Sequence, residues 1–319
     1  MKPKIFITRK MDDRVVATLQ DKFDVRMWES ESEPVPRAVL LREVSEVDAL
    51  WTVVSDRVDR ELIETGKKLR IVANMAVGYN NIDLEAAKEH GVLVTNTPNV
   101  LTETTADLTF ALLLATARKL ILAESELRNG NWKSWSPMQF TGMDVGGATL
   151  GIVGMGRIGE AVARRAKGFN MHVLYHNRNR KHDAEAEHGF EYRELDQLLE
   201  EADFVVVLTP YTPDTVGLIS ERELGLMKRT AVLINVSRGG IVDEAALYNA
   251  LTDNTIWAAG LDVFETEPVP PDHPLLSLPN VTVLPHIGSA SIKTRLAMMN
   301  LNAQAIMDVF EGREPKNIV

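Results

Sequence analysis

The 319-residue sequence has no cysteine. This excludes disulfides, a thiolate nucleophile and thiolate-ligated metal, and leaves the redox compartment open. It also lacks an excess of positive charge, since 35 Lys and Arg stand against 45 Asp and Glu, for a formal net charge of −10. Such a chain offers nucleic acid or an anionic membrane no general attraction, so an anionic ligand must be met by a local basic cluster. No apolar run is long enough to span a bilayer: the most apolar stretch, Phe110 to Ala117, is cut off by Arg118 and Lys119. The opening MKPKIFITRK runs into a strand pattern without the apolar core or cleavage site of a signal peptide, and a cytoplasmic enzyme is the expectation.

Hydrophobic residues make up 45% of the chain, enough for a sizeable core and about two domains. Five β-rich runs (KIFIT, FDVRMW, ALWTVV, RIVANMA, VLVTN) alternate with amphipathic stretches starting near Met11, Pro36, Asp59 and Asp83. That alternation predicts a parallel sheet covered by helices. One long helix should follow Thr102, with Leu108, Leu112, Ala115 and Leu122 near one face and Thr102 or Thr104 as its cap. The segment NGNWKSWSPMQFTGMDVGG, polar, aromatic and turn-rich, reads as an exposed arm. A second alternation follows (TLGIVGMG, MHVLYH, DFVVVLTP, AVLINVS, WAAGLDV, VTVLP), and a helix over 291–310 closes the chain. Two α/β domains are therefore expected, 1–100 with 288–319 and 101–287, the first discontinuous because the last helix returns to it. The cleft between two such domains is the natural ligand site.

Three groups of residues carry chemistry. Gly154-Met155-Gly156-Arg157-Ile158-Gly159 places G-x-G-x-x-G after an apolar strand and at a helix start. There glycines allow a tight turn and close approach of backbone to a pyrophosphate, while the N–H groups of the helix terminus face the anion. The next strand, MHVLYH, ends in Asn177-Arg178-Asn179-Arg180, where an acid would otherwise hold the ribose hydroxyls of NAD. The missing acid and the two guanidiniums suit a 2′-phosphate, so NADPH is the expected cofactor, with NADH possible.

The third group is Arg238 in NVSRGG, Glu267 in GLDVFETEP and His286 in VLPHIGS, each following an apolar run. Reduction of a 2-oxo acid needs a cation for the substrate carboxylate, a proton donor to the carbonyl and a group that keeps that donor charged and oriented. Arg238, His286 and Glu267 can fill these roles in turn, with hydride supplied by a nicotinamide. The other histidines, His90, His172, His176, His182, His188 and His273, lie mostly in polar stretches, and no metal-binding spacing includes His286.

The motifs TLGIVGMGRIG, NVSRGGIVDEAAL, AGLDVFETEP and LPHIGSA, in this order, closely resemble those of the D-isomer-specific 2-hydroxyacid dehydrogenases. The resemblance implies two Rossmann-like domains, a flavodoxin-like substrate domain and a doubly wound nucleotide domain, in a homodimer. It makes Arg238, Glu267 and His286 the catalytic set. The stretch Asn74 to Asp83 becomes the substrate loop, with the N–H groups of Val77 and Gly78 on the carboxylate. Asp262 falls at the nicotinamide carboxamide, and Thr105, Val236, Ser237, Arg238, His286 and Gly288 at further cofactor positions. Within the family the likeness is strongest to glyoxylate and hydroxypyruvate reductases. There Ser289 matches a serine near the substrate hydroxyl and Trp135 a tryptophan that enters the partner subunit's site. Two other readings share these features: a 2-ketogluconate or broad 2-oxo acid reductase, and a dinucleotide-sensing corepressor or scaffold. The complete Arg, Glu and His set argues against the latter.

Overall fold

The computed structural model describes residues 2–319. The chain forms two compact units, one running from the N-terminus through Leu101 and taking up Ala290–Val319, the other spanning Thr102–Ser289.

The first unit is built on five parallel strands, β1 (Lys4–Ile7), β2 (Asp24–Met27), β3 (Ala49–Val53), β4 (Ile71–Met75) and β5 (Leu93–Thr95), ordered β2-β1-β3-β4-β5. This is the flavodoxin-like order. Short helices cross between the strands, and three begin where an aspartate accepts a backbone N–H: Asp12 from Arg14, Asp59 from Leu62 and Asp83 from Ala86. Such caps satisfy amides that the first helical turn leaves unpaired. The last helix, Ile292–Phe310, is capped by Ser291 and lies on β4, where Asn302 Nδ2 donates to Ala73 O at 3.0 Å.

The second unit holds seven parallel strands: β6 (Thr149–Val153), β7 (His172–His176), β8 (Glu191–Tyr192), β9 (Phe204–Val207), β10 (Val232–Asn235), β11 (Ala258–Leu261) and β12 (Val281–Val283). Their order, β12-β11-β10-β9-β6-β7-β8, is the doubly wound one, with its topological switch between β6 and β9. Alternate residues of one strand feed two cores. Leu150, Ile152, Val206 and Ile234 pack on one face, while Val153, Val205, Val207 and Leu233 pack on the other. Burial on both faces explains why these strands read as continuous apolar runs.

Two expectations need correction. The long helix is two, Thr102–Ala117 and Leu120–Arg128, separated by Lys119 with a left-handed φ of 52°. Its buried residues are Thr105, Ala106, Thr109, Phe110, Leu112, Leu113, Thr116 and Ala117, a wider set than the Leu108, Leu112, Ala115 and Leu122 stripe. The helix packs against β10, β11 and the helix Arg157–Lys167, so it is apolar around much of its circumference and shows no narrow stripe. The helix His182–His188 and the two-residue β8 were not foreseen, because HDAEAEH carries almost no apolar periodicity. Among the described residues, no helix is long and apolar enough to cross a membrane, and no group of three or more metal-ligating side chains is placed to hold an ion.

Candidate active site

Parallel strands deliver their following loops to one edge of the sheet, and the carboxyl edge of the second unit gathers the residues picked out by chemistry. Arg238 follows β10, Glu267 follows β11 and His286 follows β12. His286 Nδ1 lies 2.6 Å from Glu267 Oε2, with the two side chains 27% and 30% exposed. The other carboxylate oxygen of Glu267 accepts the Phe264 N–H at 3.0 Å. Burial pushes the Glu267 carboxyl up, but the hydrogen bond and charge of His286, the Phe264 N–H and the charge of Arg238 outweigh it and hold the group below the ordinary carboxylate range. Glu267 is therefore an acceptor, so the Nδ1 proton belongs to His286 and Nε2 is left for a substrate.

The backbone around His286 is clamped by Asp262, itself 1% exposed. Its carbonyl accepts the His286 N–H at 2.8 Å, and its two carboxylate oxygens accept the Ile287 and Gly288 N–H groups, each at 2.8 Å. His286 adopts φ 53°, a left-handed conformation that costs a residue with a Cβ roughly 1 to 3 kcal/mol. The Asp262 bonds hold it there. Asp262 thus has a framework role that sequence reading missed, beside the carboxamide position that the resemblance implies for it. Burial raises its carboxyl above the ordinary range, against the pull of the Ile287 N–H, His286 and the Gly288 N–H and with a push from Glu267.

Asn235, at the end of β10 and 2% exposed, shapes the arginine turn. Its Oδ1 accepts from Ser237 N at 3.1 Å and Ser237 Oγ at 2.8 Å, and its Nδ2 donates to Arg238 O at 3.0 Å. Arg238 Nη1 donates to Ser237 O at 2.7 Å. Burial lowers the guanidinium from its usual value and the charge of Glu267 opposes that, so Arg238 is a poorly hydrated cation, the kind that grips a carboxylate strongly. Val236 and Ser237 are buried beneath it. Gly288 closes the group, since a Cβ there would lie 3.3 Å from Asp262, 3.4 Å from Thr105 and 3.6 Å from Val236. The structure so brings Thr105, Val236, Asp262 and Gly288 together, four of the cofactor positions implied by resemblance.

The glycine loop fits a dinucleotide. Gly154 has φ +105°, and a Cβ on it would meet Thr209 N at 2.6 Å, so only glycine serves there. Gly156 faces open space, where a phosphate needs approach, and Gly159 allows the helix Arg157–Lys167 to abut the turn. Beside the turn, Thr209 Oγ1 is buried without a partner. Sequence reading passed over Thr209, although its place at the end of DFVVVLTP, on the switch side of β9, is a signal for it. Met155 is buried, Ile158 half-buried and Arg157 exposed.

The ribose turn differs from its expected picture. Asn177 Oδ1 accepts Met155 N–H at 2.7 Å and Asn177 Nδ2 donates to Met155 O at 3.1 Å, so this amide ties β7 to the glycine loop. An aspartate could not make the second bond. Arg180 is bound bidentately to Glu185 at 2.7 and 2.8 Å, and its guanidinium lies 5.4 Å from the Tyr192 ring. Glu185, held by Arg180 and Tyr175, is pulled down to about 2. Arg180 is thus engaged in folding the helix His182–His188 onto the sheet, and Arg178, exposed, is the guanidinium left for a phosphate. Asn179 borders a cavity of about 530 Å³ with Glu160, Lys181, His182 and Glu187, beside this turn and not at the catalytic loops.

In the first unit, the turn after β4 presents Val77 and Gly78 half-buried. Their carbonyls are tied down, Val77 O by Asn96 at 2.8 Å and Gly78 O by Asn74 at 3.2 Å. Among the described residues, their N–H groups donate to no protein acceptor, as an anion-binding turn requires. Asn81 Nδ2 adds a bond to Asp56 O at 2.9 Å, bracing this turn on the one after β3. Ser289 follows Gly288 and is half-buried. Trp135 is 76% exposed in an irregular segment, with Trp132 and Met138 also exposed.

Residues 110–288 match the family model described as D-isomer specific 2-hydroxyacid dehydrogenase, NAD binding domain. The whole chain aligns at 51% identity over 96% of a glyoxylate reductase from Pyrococcus horikoshii, and at 50% over 96% of one from Korarchaeum cryptofilum. Among solved structures, an NADPH-dependent glyoxylate/hydroxypyruvate reductase from Sinorhizobium meliloti, in complex with NADP and malonate, superposes with a TM-score of 0.87 at 37% identity, covering 100% of this chain and 97% of that one.

Proposed function

Because this chain belongs to the D-isomer-specific 2-hydroxyacid dehydrogenases, we propose that it reduces glyoxylate to glycolate and hydroxypyruvate to D-glycerate, with NADPH preferred over NADH. The observation that carries the reading is the Glu267 carboxylate 2.6 Å from His286 Nδ1, on loops adjoining a buried arginine turn. A nicotinamide, when bound, supplies the hydride. His286 Nε2 holds the proton that the carbonyl oxygen takes up, and Glu267 fixes the imidazole and balances its charge. Arg238 grips the substrate carboxylate with its planar fork, and in the first unit the N–H groups of Val77 and Gly78 are donors for an anion. Ser289 stands near the hydroxyl that forms. Gly154 through Gly159 carry the pyrophosphate on the helix terminus, and Thr105, Val236, Asp262 and Gly288 surround the nicotinamide end.

NADPH preference is supported by the neutral Asn177, which does not repel a 2′-phosphate, and by the unengaged Arg178. The NADPH-dependent reductase of Sinorhizobium meliloti is a relative of the same kind. We extend the reading to a cytoplasmic homodimer. No residue of the helix Leu120–Arg128 is buried, and Leu120, Ile121, Leu127, Trp132, Trp135 and Met138 are all exposed. An apolar patch of that kind calls for a partner surface, and Trp135 would meet the partner's substrate site.

A steady-state panel of glyoxylate, hydroxypyruvate, pyruvate and 2-ketogluconate with both dinucleotides tests this. The highest kcat/KM should fall on glyoxylate or hydroxypyruvate with NADPH. Tight dinucleotide binding without turnover of any 2-oxo acid would overturn the activity, and equal or better kcat/KM with NADH would overturn the cofactor preference. Sedimentation should give a mass of two chains.

A further inference from the structure

The motif NVSRGGIVDEAAL contains a carboxylate that the proposed reaction does not use, Glu244, the first residue of the helix Glu244–Thr252. Its side chain is 13% exposed. One oxygen accepts the Glu265 N–H at 2.7 Å, and the other lies 3.1 Å from Nε2 of His273, one of the histidines without a catalytic setting in the sequence. His273 is itself packed: its side chain is 20% exposed and its ring stands edge-on to Phe264 at 5.9 Å.

The peptide joining Phe264 to Glu265 is where these contacts meet the catalytic ones. On one side the Phe264 N–H orients Glu267, which in turn holds His286. On the other side the Glu265 N–H is held by Glu244. Against the same peptide lies the arginine turn, for a Cβ on Gly239 would fall 1.9 Å from Phe264 C and 2.2 Å from Glu265 N. Any drift of this peptide therefore moves Glu267 and presses on the turn that carries Arg238. Glutamate 267 has few other restraints in its own loop, where Glu265, Thr266 and Pro268 are exposed.

We propose that Glu244 and His273 form a positioning brace, which sets Glu267 against His286 by holding the Phe264–Glu265 peptide from behind. Glu244 is a positioning residue and touches no substrate. The brace rests on the assignment of Glu267 and His286 as a working pair, but one of its readouts is independent of turnover. A proton on His286 Nδ1 bonded to a carboxylate gives a far-downfield NMR resonance, which Glu267→Gln should abolish and so identify.

In Glu244→Ala that resonance should move upfield or broaden away, kcat for glyoxylate with NADPH should fall about tenfold, and KM and NADPH affinity should change less than about twofold. Glu244→Gln, which keeps an oxygen for the Glu265 N–H, should restore both the resonance and most of kcat. If Glu244→Ala does not fold, Glu244→Asp, which withdraws the carboxylate by one methylene, is read in the same way. An unmoved resonance in the alanine or aspartate variant, or a glutamine variant as impaired as the alanine one, would overturn the brace. If the wild-type protein turned over no 2-oxo acid, the proposed function would fail while the resonance still decided the brace.

Discussion

The catalytic loops and the ribose turn are both built at carboxyl ends of strands in one sheet, yet they are held differently. Around Arg238, Glu267 and His286 each backbone segment is fixed by a buried side chain, Asn235 or Asp262, or by close packing at Gly239. At Asn177–Arg180 one amide is tethered to the glycine loop, one guanidinium is taken by Glu185, and Arg178 stands exposed. A desolvated, doubly tethered group exerts its full electrostatic effect, whereas an exposed charge is screened and costs side-chain entropy to localise. Removing a group from the first region should thus cost far more than removing one from the second.

The largest loss is expected from His286→Ala, which removes the proton donor: kcat should fall by roughly 10²- to 10⁴-fold. NADPH affinity, measured by fluorescence titration, should stay within about twofold, and a comparable loss of binding would mean that His286 acts chiefly through its cofactor contact and not as the proton donor. Arg238→Ala should follow, at about 3 kcal/mol of transition-state stabilisation or about a hundredfold in kcat/KM, since it strips a partly buried charge partner from the substrate. Near-normal kcat/KM in that variant would erase the contrast between the two regions.

Glu267→Gln tests the pair by pH. Because the folded-state carboxyl lies below its ordinary value, its stabilising bond to His286 is fully present above about pH 4.3, the unfolded reference, and is lost only as pH falls through the lower folded value. The stability difference between wild type and variant, from urea unfolding, should therefore hold level from neutral pH to about 4.3 and shrink below it. A stability difference that does not change with pH would dissolve the coupling.

The smallest effect belongs to the ribose turn. Arg178→Ala should raise KM for NADPH about two- to fivefold and leave NADH nearly unchanged, as suits an exposed guanidinium. Arg180→Ala should weaken NADPH less than Arg178→Ala but loosen the helix His182–His188, detectable by faster amide exchange there. A reversed ranking would mean that Arg180 leaves Glu185 when the phosphate binds. Asn177→Asp is not a clean test of ribose reading, since it also breaks the bond to Met155 O.

Most of the framework could be read from residues close in sequence. The Asp12, Asp59 and Asp83 caps, the apolar runs and the G-x-G-x-x-G turn are local features, set by backbone sterics and by the burial of alternate side chains. The same holds for the placement of Arg238, Glu267 and His286 just beyond apolar strands. Local pattern failed at the helix Thr102–Ala117, which neighbours cover on several sides, and at HDAEAEH, whose helix depends on Arg180, Tyr175 and Glu185 meeting.

What tertiary structure alone decided was the partner of those polar groups whose contacts lie far away in the sequence. Asn177 reaches Met155 and Asp262 reaches Ile287 and Gly288 because parallel strands β6 and β7, and β11 and β12, lie side by side. Arg238 and Glu267 share one framework because Gly239 leaves room for the Phe264–Glu265 peptide, and Glu244 finds that peptide because its helix starts beside it. Partners more than twenty residues apart are chosen by strand order and by loop entropy already overcome in the folded chain. A sequence window holds neither, so it shows which groups can do chemistry but not what holds them to it.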